Sequence, residues 1–215
     1  MLKAKLTDKV FIFKGTRYFS AGAENIQLGT YGRKSISPIA ASRLDAAWRF
    51  QLDNALIERV EPISIELETK KSLNAKTDVG LKAADGSGDI TIEKFRDSSL
   101  VVIKFHILSG PLSEAFNKNT PELKKLNDIK RNSRIANQIF VVVSAETARK
   151  MTSAINLQAK TVGNNIEIVG SLENMNETKI SIAAGTTLAY GLVQPVWMKN
   201  KLQIESLRTD QHGPG

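Results

Sequence analysis

The most extended hydrophobic pattern in the chain covers residues 139–190. An apolar run at 139–143 opens it, and polar and apolar residues then alternate up to a polar turn at 163–165. A period of two is the strand period, so this stretch predicts the first leg of a long β-hairpin. The alternating apolar positions include Met151, Ile155 and Leu157.

The return leg of this hairpin carries Ile166 and Ile168 and is interrupted by polar residues near 174–176. We therefore expect shorter strands joined by loops in the soluble form, and one long hairpin only in a membrane. Each leg exceeds the roughly 9 to 11 tilted residues that a membrane-crossing strand needs. The length is therefore sufficient for insertion into a bilayer.

A second and weaker hairpin pattern covers residues 63–108. Residues 63–68 alternate strictly and predict a half-buried strand, and the Gly-rich turn 85–88 separates two hydrophilic legs. A dense apolar run at 100–108 closes the pattern. The apolar positions in the two legs are Val79, Leu81, Ile90 and Ile92.

The N-terminal quarter predicts both strands and a helix. A strand is expected over 10–19, a Gly-punctuated turn at 21–22, a second strand near 26–28, and a loop at 32–38. Apolar residues in the segment 40–56 recur near period 3.6, which predicts a helix with Trp48 in the core. The N-cap of this helix is either Ser42, or Ser37 with Pro38 in the first helical position.

A basic helix is predicted directly before the long hairpin. It spans 121–137, with Thr120 as N-cap and Pro121 at the first position. Its apolar side consists of Leu123, Leu126, Ile129 and Ile135. Its outer face carries Lys124, Lys125, Lys130, Arg131 and Arg134. Such a face is either solvated or in contact with an anionic surface, and the pattern leaves both interpretations open.

Composition and charge narrow the class of partner. The 215 residues carry a formal net charge of +8 and no cysteine. A basic surface favours phosphates of nucleic acid or lipid headgroups, although the charge also serves solubility. The absence of cysteine excludes disulfides, thiolate catalysis and cysteine-linked acyl anchors. No run of about 18 apolar residues and no signal-peptide core occur, which predicts a cytoplasmic protein.

Catalytic chemistry is not indicated. The chain has two histidines, His106 in an apolar strand and His212 near the chain end, so a metal site or a histidine-based triad is not predicted. The turn at 86–88 lacks the spacing of a dinucleotide loop. Glu66 and Glu68 share the wet face of a strand rather than a catalytic cleft. We expect neither an enzyme nor a cofactor.

Residues 180–193 resemble a stretch of gasdermin pore-forming domains, in which an apolar strand meets a small-residue turn, the pair Thr186-Thr187 and an Ala-Tyr-Gly strand start. The basic helix, the run 140–143 and the long alternation that follows have the order of the same family. The resemblance covers about 63–204, is specific near 180–193, and is poor over 1–60.

The resemblance implies a single pore-forming domain over 1–215 with a short regulatory tail at 198–215 and no large C-terminal repressor domain. The implied protein is a cell-death effector, cytoplasmic when inactive and at the cell membrane when assembled. Its partners would be acidic phospholipid membranes, further copies of itself or a paralogous subunit, and an activating protease or inhibitory partner. Nucleic acid is not expected.

By the same resemblance, the inserting strands carry Val79, Leu81, Ile90, Ile92, Met151, Ile155, Leu157, Ile166 and Ile168. Lipid contact falls on Lys124, Lys125, Lys130, Arg131 and Arg134, with Lys14 and Arg17 as weaker candidates. The expected fold is α+β, a twisted and mostly antiparallel sheet with long hairpins and flanking helices, convertible to a transmembrane β-barrel on oligomerisation. The alternatives are a non-lytic basic α+β module for nucleic acid or another anionic partner, and a structural assembly protein.

Overall fold

The structure is a computed structural model that describes residues 2–6, 10–20, 26–35, 43–60, 62–69, 80–82, 89–91, 100–143, 154–162, 165–172, 178–182 and 187–210. Within these ranges it is an α+β fold dominated by one large, mostly antiparallel sheet with two α-helices. This confirms the predicted fold class. Conversion to a transmembrane barrel stays a prediction.

The strands of the main sheet are, in chain order, β1 (Leu2–Leu6), β2 (Val10–Phe13), β3 (Thr16–Ser20), β4 (Thr30–Ser35), β5 (Arg43–Arg49), β6 (Glu58–Arg59), β7 (Ile63–Thr69), β10 (Leu100–His106), β11 (Ser133–Val143), β15 (Thr187–Trp197) and β16 (Ile204–Asp210). The pair β8 (Gly80–Lys82) and β9 (Asp89–Thr91) forms a two-stranded sheet. A three-stranded sheet contains β12 (Ala154–Val162), β13 (Asn165–Leu172) and β14 (Thr178–Ile182).

The main sheet has the order β16-β15-β3-β2-β1-β7-β10-β11-β4-β5, with β6 paired to β10. Strands β1 and β7 pair in parallel, and the other pairs are antiparallel. Strand β15 also pairs with β11. The hydrogen-bonded path from β15 through β3, β2, β1, β7, β10 and β11 therefore returns to β15.

Strand β11 is buried on both faces. Ile139, Val141 and Val143 belong to the main core, whereas Phe140 and Val142 point to the opposite face. On that face they join a second core with residues of β1, β2, β10 and β15, namely Ala4, Phe11, Phe13, Val102, Leu188 and Ala189. Burial on two faces explains why the sequence at 139–143 is an unbroken apolar run rather than an alternation.

Two helices cover the main core. Helix α1 (Ser109–Lys118) buries Leu112 and Phe116, and helix α2 (Thr120–Asp128) buries Leu123 and Leu126. The two helices follow β10 in the chain and lead into a 3-10 turn, Lys130–Asn132, that precedes β11.

The helix predicted over 40–56 is wrong. The described part of this segment is strand β5 followed by a 3-10 turn, Asn54–Leu56, and Trp48 is 42% exposed rather than in the core. Leu44 and Leu52 are both buried, and their spacing along the chain would also place them on one face of a helix. Pairing of β5 with β4, and stacking of Trp48 on Tyr31 at 5.6 Å between ring centroids, override this local preference.

The basic helix predicted over 121–137 is correct only in its first half. Helix α2 ends at Asp128, Lys130 has a positive φ of 62°, and Ser133 already begins β11. The N-cap is Asn119, whose side chain accepts a hydrogen bond from the Glu122 N–H, and not Thr120. Ile135 is buried in the strand. A left-handed residue cannot continue a helix, and this is the physical reason for the early end.

The strand predicted over 10–19 is two strands, β2 and β3, joined by a turn at Lys14 and Gly15. The second predicted strand, near 26–28, lies later than predicted. Residues 26–29 form a turn and β4 occupies most of the segment expected to be a loop. Gly29 has a φ of +76°, donates its N–H to the Ala136 carbonyl and accepts from the Phe50 N–H. A Cβ at Gly29 would lie 2.6 Å from the Phe50 carbonyl oxygen. Glycine is therefore required where β4 and β5 join β11.

We predict that Gly29→Ala lowers the free energy of unfolding by about 3 kcal/mol, because a left-handed conformation and a backbone clash both oppose the new methyl group. Gly15→Ala is the matched control: its φ is +77° but nothing lies within 4 Å of its would-be Cβ. The control should lose only about 1 kcal/mol. If urea unfolding shows the same loss of stability for both variants, the close approach of the Phe50 carbonyl to Gly29 does not contribute to the effect.

Candidate membrane-interacting site

Four neighbouring strands of the main sheet are connected in pairs by long segments. Strands β7 and β10 pair with Ile65 opposite Leu100, and the chain between them, residues 70–99, is here named connector 1. Strands β11 and β15 pair with Val141 opposite Thr187, and residues 144–186 between them are connector 2. Since β10 and β11 also pair, β7, β10, β11 and β15 form one continuous antiparallel block.

Both connectors leave this block at the same end. Connector 1 follows the last residue of β7 and precedes the first of β10, and connector 2 follows the last residue of β11 and precedes the first of β15. Antiparallel neighbours place all four of these termini together. We call this end of the sheet the root end and the opposite end the far end.

Connector 1 contains the short hairpin formed by β8 and β9, in which Leu81 is opposite Ile90. These two predicted insertion positions are therefore paired, in agreement with a hairpin. Val79 and Ile92, and the predicted turn at 85–88, lie outside the described residues.

Connector 2 contains the three-stranded sheet. Strands β12 and β13 form the predicted hairpin, with Val162 opposite Asn165. Ile155 is opposite Ser171, whereas Leu157 lies where the register of the pair shifts. Met151 lies outside the described residues.

The return leg of connector 2 is broken, as the sequence predicts. Strand β13 ends at Leu172 and β14 begins at Thr178, and β14 folds back to pair with β13. Ile166 is opposite Ile182 and Ile168 is opposite Ile180. Strand β12 also lies against the 3-10 turn Asn54–Leu56. Connector 2 is thus folded back in this structure rather than extended.

The weaker lipid-binding candidates lie at the turn between β2 and β3. Lys14 and Arg17 are exposed, and the turn is formed by Lys14 and Gly15 with φ of 49° and 77°. Positive φ at both central residues is typical of the tight hairpin turns that match strand twist. The Lys14 ammonium lies 5.6 Å from the centroid of the Phe13 ring.

The candidates around α2 differ in their surroundings. Lys124, Lys130 and Arg131 are exposed. Lys125 donates to Glu122 at 2.7 Å, and Glu122 also accepts from the Tyr31 hydroxyl. Burial alone would raise the pKa of Glu122, but Lys125 and Tyr31 together lower it. Burial is the main cause of the raised pKa of Tyr31, and the neighbouring Glu122 carboxylate raises this pKa further. Lys125 therefore helps to attach α2 to β4 and is already paired.

Arg134 is not on a helix surface. It is the second residue of β11, is 9% exposed, and donates through Nε to Asp210 Oδ2 at 2.5 Å. Its Nη1 donates to the carbonyls of Arg131 and Ser133. Asp210, on β16, also accepts from Lys34 at 3.0 Å. The guanidinium is engaged inside the protein, and we leave it out of the lipid-contact set.

The exposed predicted cations do not share one level of the sheet. Lys130 and Arg131 precede the first residue of β11 and therefore lie at the far end. The turn with Lys14 follows Phe13, which is opposite Ala4 on β1, and Ala4 is opposite Leu67 on β7. Because Ile65 is opposite Leu100, this turn is level with the first residue of β10, on the root side of the sheet.

A second group of polar side chains, at the far-end edge of the second core, surrounds His106. Its Nε2 lies 3.0 Å from Glu58 Oε2. Burial and the neighbouring Lys104 ammonium lower the pKa of His106, against the opposing effect of Glu58. Burial also lowers the pKa of Lys104, whose ammonium lies 5.9 Å from the Phe140 ring centroid. This arrangement is that of a packed histidine at the end of a strand that is paired on both sides.

Other site chemistry is sparse in the described part of the chain. No group of three metal-ligating side chains occurs among those residues, and none of the helices described there is long and apolar enough to cross a membrane. An open groove of 560 Å³ lies between residues 50–56 and helix α1. Its walls are Phe50, Leu56, Pro111 and Ala115, and its charged rim consists of Asp53, Glu114 and Lys118.

No local sequence pattern indicates the role of Asp210, whose partners Arg134 and Lys34 lie 76 and 176 residues away in the chain. Part of the predicted tail, Ile204–Asp210, is strand β16 of the main sheet. Its first residue exchanges two hydrogen bonds with the Asn117 side chain of α1. A regulatory role of the tail stays a prediction.

We predict that Asp210→Asn destabilises the protein by about 3 kcal/mol, because it leaves Arg134 and Lys34 without their carboxylate in a nearly buried site. The side chains of this cluster are 11–13% exposed. Glu114→Gln removes a carboxylate whose pair with Lys118 is 72–80% exposed, and should change the urea midpoint very little. Similar effects of the two substitutions would contradict the assigned role of Asp210.

Comparison with protein-family models, with curated proteins and with solved structures gives no match for this chain. The resemblance to gasdermin pore-forming domains therefore stays a prediction that rests on the sequence.

Proposed function

We propose that this protein is a gasdermin-like pore-forming protein. It binds acidic phospholipid membranes, oligomerises, and extends connectors 1 and 2 into two membrane-spanning β-hairpins per subunit. The observation that supports this proposal most is the common root end of the two connectors on four contiguous antiparallel strands.

Contiguity matters because the hydrogen-bond partners of the extended state are already neighbours. If both connectors straighten, β7, β10, β11 and β15 continue beyond the root end in their existing order. Neither the main core nor the second core has to be dismantled for this extension. A block of four strands per subunit also has two free edges in the membrane. In hydrocarbon, the backbone N–H and C=O groups of these edges must form hydrogen bonds with strands of neighbouring subunits. Insertion and oligomerisation are therefore coupled.

The connectors are long enough for this purpose. Connector 1 has 30 residues and connector 2 has 43. Each leg can therefore exceed the roughly 9 to 11 tilted residues of a membrane-crossing strand. The apolar positions Leu81 and Ile90 of connector 1, and Ile155, Ile166 and Ile168 of connector 2, alternate with polar residues in sequence. One apolar and one polar face are what a strand between lipid and an aqueous lumen requires.

Extension requires one specific rearrangement in connector 2. Strands β12 and β13 lie on opposite legs, so their pairing persists in a straight hairpin. Strands β13 and β14 lie on the same leg, so the pairing of Glu167 with Ser181 has to break before that leg can straighten. Contact of β12 with the 3-10 turn Asn54–Leu56 must also be released.

We predict that a disulfide between β13 and β14, made by Glu167→Cys with Ser181→Cys, abolishes dye release from anionic vesicles until it is reduced. Directly opposite residues of antiparallel strands have Cα separations that a disulfide can bridge. The chain has no cysteine, so the engineered pair is the only thiol pair present.

A disulfide between β12 and β13, made by Lys160→Cys with Glu167→Cys, is the matched control, because it joins strands that remain paired. This variant should release dye with or without reductant. Full release by the oxidised β13–β14 variant would refute the extension mechanism. Salt-dependent binding of RNA or DNA by a protein that never releases dye would instead favour the basic binding module.

The wider role is part of the same proposal and follows from the resemblance. The protein would be held inactive in the cytoplasm, assemble at the cell membrane with further copies of itself or a paralogous subunit, and kill the cell by permeabilisation. An activating protease or an inhibitory partner would control this transition.

A further inference from the structure

Seven strands of the main sheet close on themselves. The hydrogen-bonded path runs from β15 through β3, β2, β1, β7, β10 and β11 and back to β15, and we name it the strand ring. Its interior is the second core, to which each of the seven strands contributes a side chain, including the partly buried Tyr18 of β3 and Ile63 of β7. Strands β7, β10, β11 and β15 are the block that carries the connectors. The other three strands, β1 to β3, therefore close the ring from one edge of that block to the other.

The two outer edges of the block are covered to different extents. On β15, the described pairing with β3 ends at Ala189, the third residue of that strand. On β7, strand β1 pairs with every residue from Ile65 to Thr69, after which connector 1 begins. The outer edge of β7 is therefore covered up to the point from which connector 1 extends, whereas the described cover of β15 stops short of connector 2.

Strand β1 is weakly anchored on β7. The two strands pair in parallel, which is slightly less stable per residue than antiparallel pairing. Among the described side chains of β1, Ala4 alone is buried, whereas Leu2 and Lys3 are exposed. At the other closure of the ring, Phe19 of β3 is 1% exposed and stacks on Tyr190 of β15 with 5.4 Å between the ring centroids. The ring therefore opens more easily between β1 and β7 than between β3 and β15.

Charge nevertheless matches β1 to β7. The register places Lys3 opposite Glu66 and Lys5 opposite Glu68. Opposite charges on directly paired residues stabilise a sheet, and like charges there destabilise it. Natural proteins cover exposed strand edges because uncovered edges pair with other chains. A strand that matches an edge without deep anchoring is suited to cover that edge and later to leave it.

We propose that the outer edge of β7, residues 65–69, is the surface at which a second copy of this chain joins during assembly, and that β1 masks this edge in the monomer. Because β7 and β15 are the outer strands of the block, a closed assembly of identical copies joins β7 of one copy to the β15 side of the next. The inference rests on the proposed function for the extension of the connectors. It adds that β1 has to leave β7 before subunits can join.

The shape of the ring supports the same step. The block supplies four of the seven strands and therefore follows more than half of the circumference of the ring. The diameter of a closed sheet grows with its number of strands, so the four strands of one copy curve much less in a pore built from many copies. Separation of β1 from β7 lets the block flatten, while β1 stays paired with β2 and β3 stays paired with β15.

The first test holds β1 on β7 by a disulfide, made by Lys5→Cys with Glu68→Cys. These residues are directly paired, and neighbouring strands have a spacing that a disulfide can bridge. The oxidised variant should bind vesicles of phosphatidylserine and phosphatidylcholine as the wild type does, but remain monomeric in native gels of detergent extracts and release no dye. Reduction should restore assembly and release.

A disulfide between β1 and β2, made by Lys5→Cys with Ile12→Cys, is the matched control. It shares one position with the first variant and joins two strands that stay paired when β1 leaves β7. This control should assemble and release dye with or without reductant. Loss of assembly in the oxidised control as well would mean that any cross-link of β1 is inhibitory, and would overturn the proposal.

The second test changes the charge match between the two strands. Lys3→Glu with Lys5→Glu places like charges opposite Glu66 and Glu68, and should speed assembly on the same vesicles roughly tenfold by releasing β1. Adding Glu66→Lys with Glu68→Lys restores opposite charges, together with the original net charge. The fourfold variant should therefore assemble at the rate of the wild type.

The control for net charge is Lys199→Glu with Lys201→Glu, at exposed positions in the turn between β15 and β16. This pair lowers the net charge as much as the pair in β1 does. It should not speed assembly, because no charge opposite β7 changes. Equal acceleration by the two pairs would overturn the proposal.

The outcomes separate this inference from the proposed function. Full assembly and dye release by the oxidised β1–β7 variant would overturn the masked edge and leave the pore function standing. Assembly of the wild type that the β1–β7 disulfide blocks, but that releases no dye, would support the masked edge and contradict the pore function. If the pair Lys3→Glu with Lys5→Glu stays monomeric on vesicles, the uncovered edge recruits no second copy, and the proposal is wrong.

Discussion

The burial of β11 on both faces is the constraint on which the rest of the structure depends. Phe140 and Val142 hold the second core, while Ile139, Val141 and Val143 hold the main core under the two helices. Because no face of β11 meets water, its register against β10 and β15 is strongly fixed. Those two neighbours are the strands at which connectors 1 and 2 rejoin the sheet. The positions at which both connectors rejoin the sheet are therefore set by a strand that is buried on both faces.

The block of β7, β10, β11 and β15 differs from the two connectors that are attached to it. The two cores are packed on both sides of β10, β11 and β15, whereas the described strands of connector 2 form a separate three-stranded sheet, in which β12 lies against a 3-10 turn of the body. A stable scaffold with weakly attached segments suits a protein that changes conformation in one region and keeps its fold elsewhere.

Much of the sheet could be predicted from sequence, because strands with one wet face alternate and strands buried twice form apolar runs. The hairpin of β12 and β13 and the break before β14 follow from such patterns. The segment 40–56 could not be assigned this way, since Leu44, Trp48 and Leu52 fit a helix and only pairing with β4 makes the first part a strand. Arg134 was misplaced for a related reason: its partner Asp210 is distant in sequence, and a basic residue after a helix gives no local sign of burial.

The site was predictable in its residues but not in its arrangement. Lys14, Arg17, Lys130 and Arg131 are exposed as expected. The strand registers show that they lie at different levels of the sheet, because the turn with Lys14 is level with Leu100 whereas Lys130 and Arg131 precede β11 at the far end. Such registers join residues that are distant in the chain, so no local pattern in the sequence predicts them.

The central claim is that two connectors per subunit extend from the folded block and form a pore lined by β-strands in an anionic membrane. The most direct measurement is the release of dyes of graded size from vesicles with and without phosphatidylserine. The account predicts release from the anionic vesicles, including large dyes once assembly is complete, and retention by neutral vesicles. Retention of every dye by both kinds of vesicle, with protein bound to the anionic surface, would contradict it.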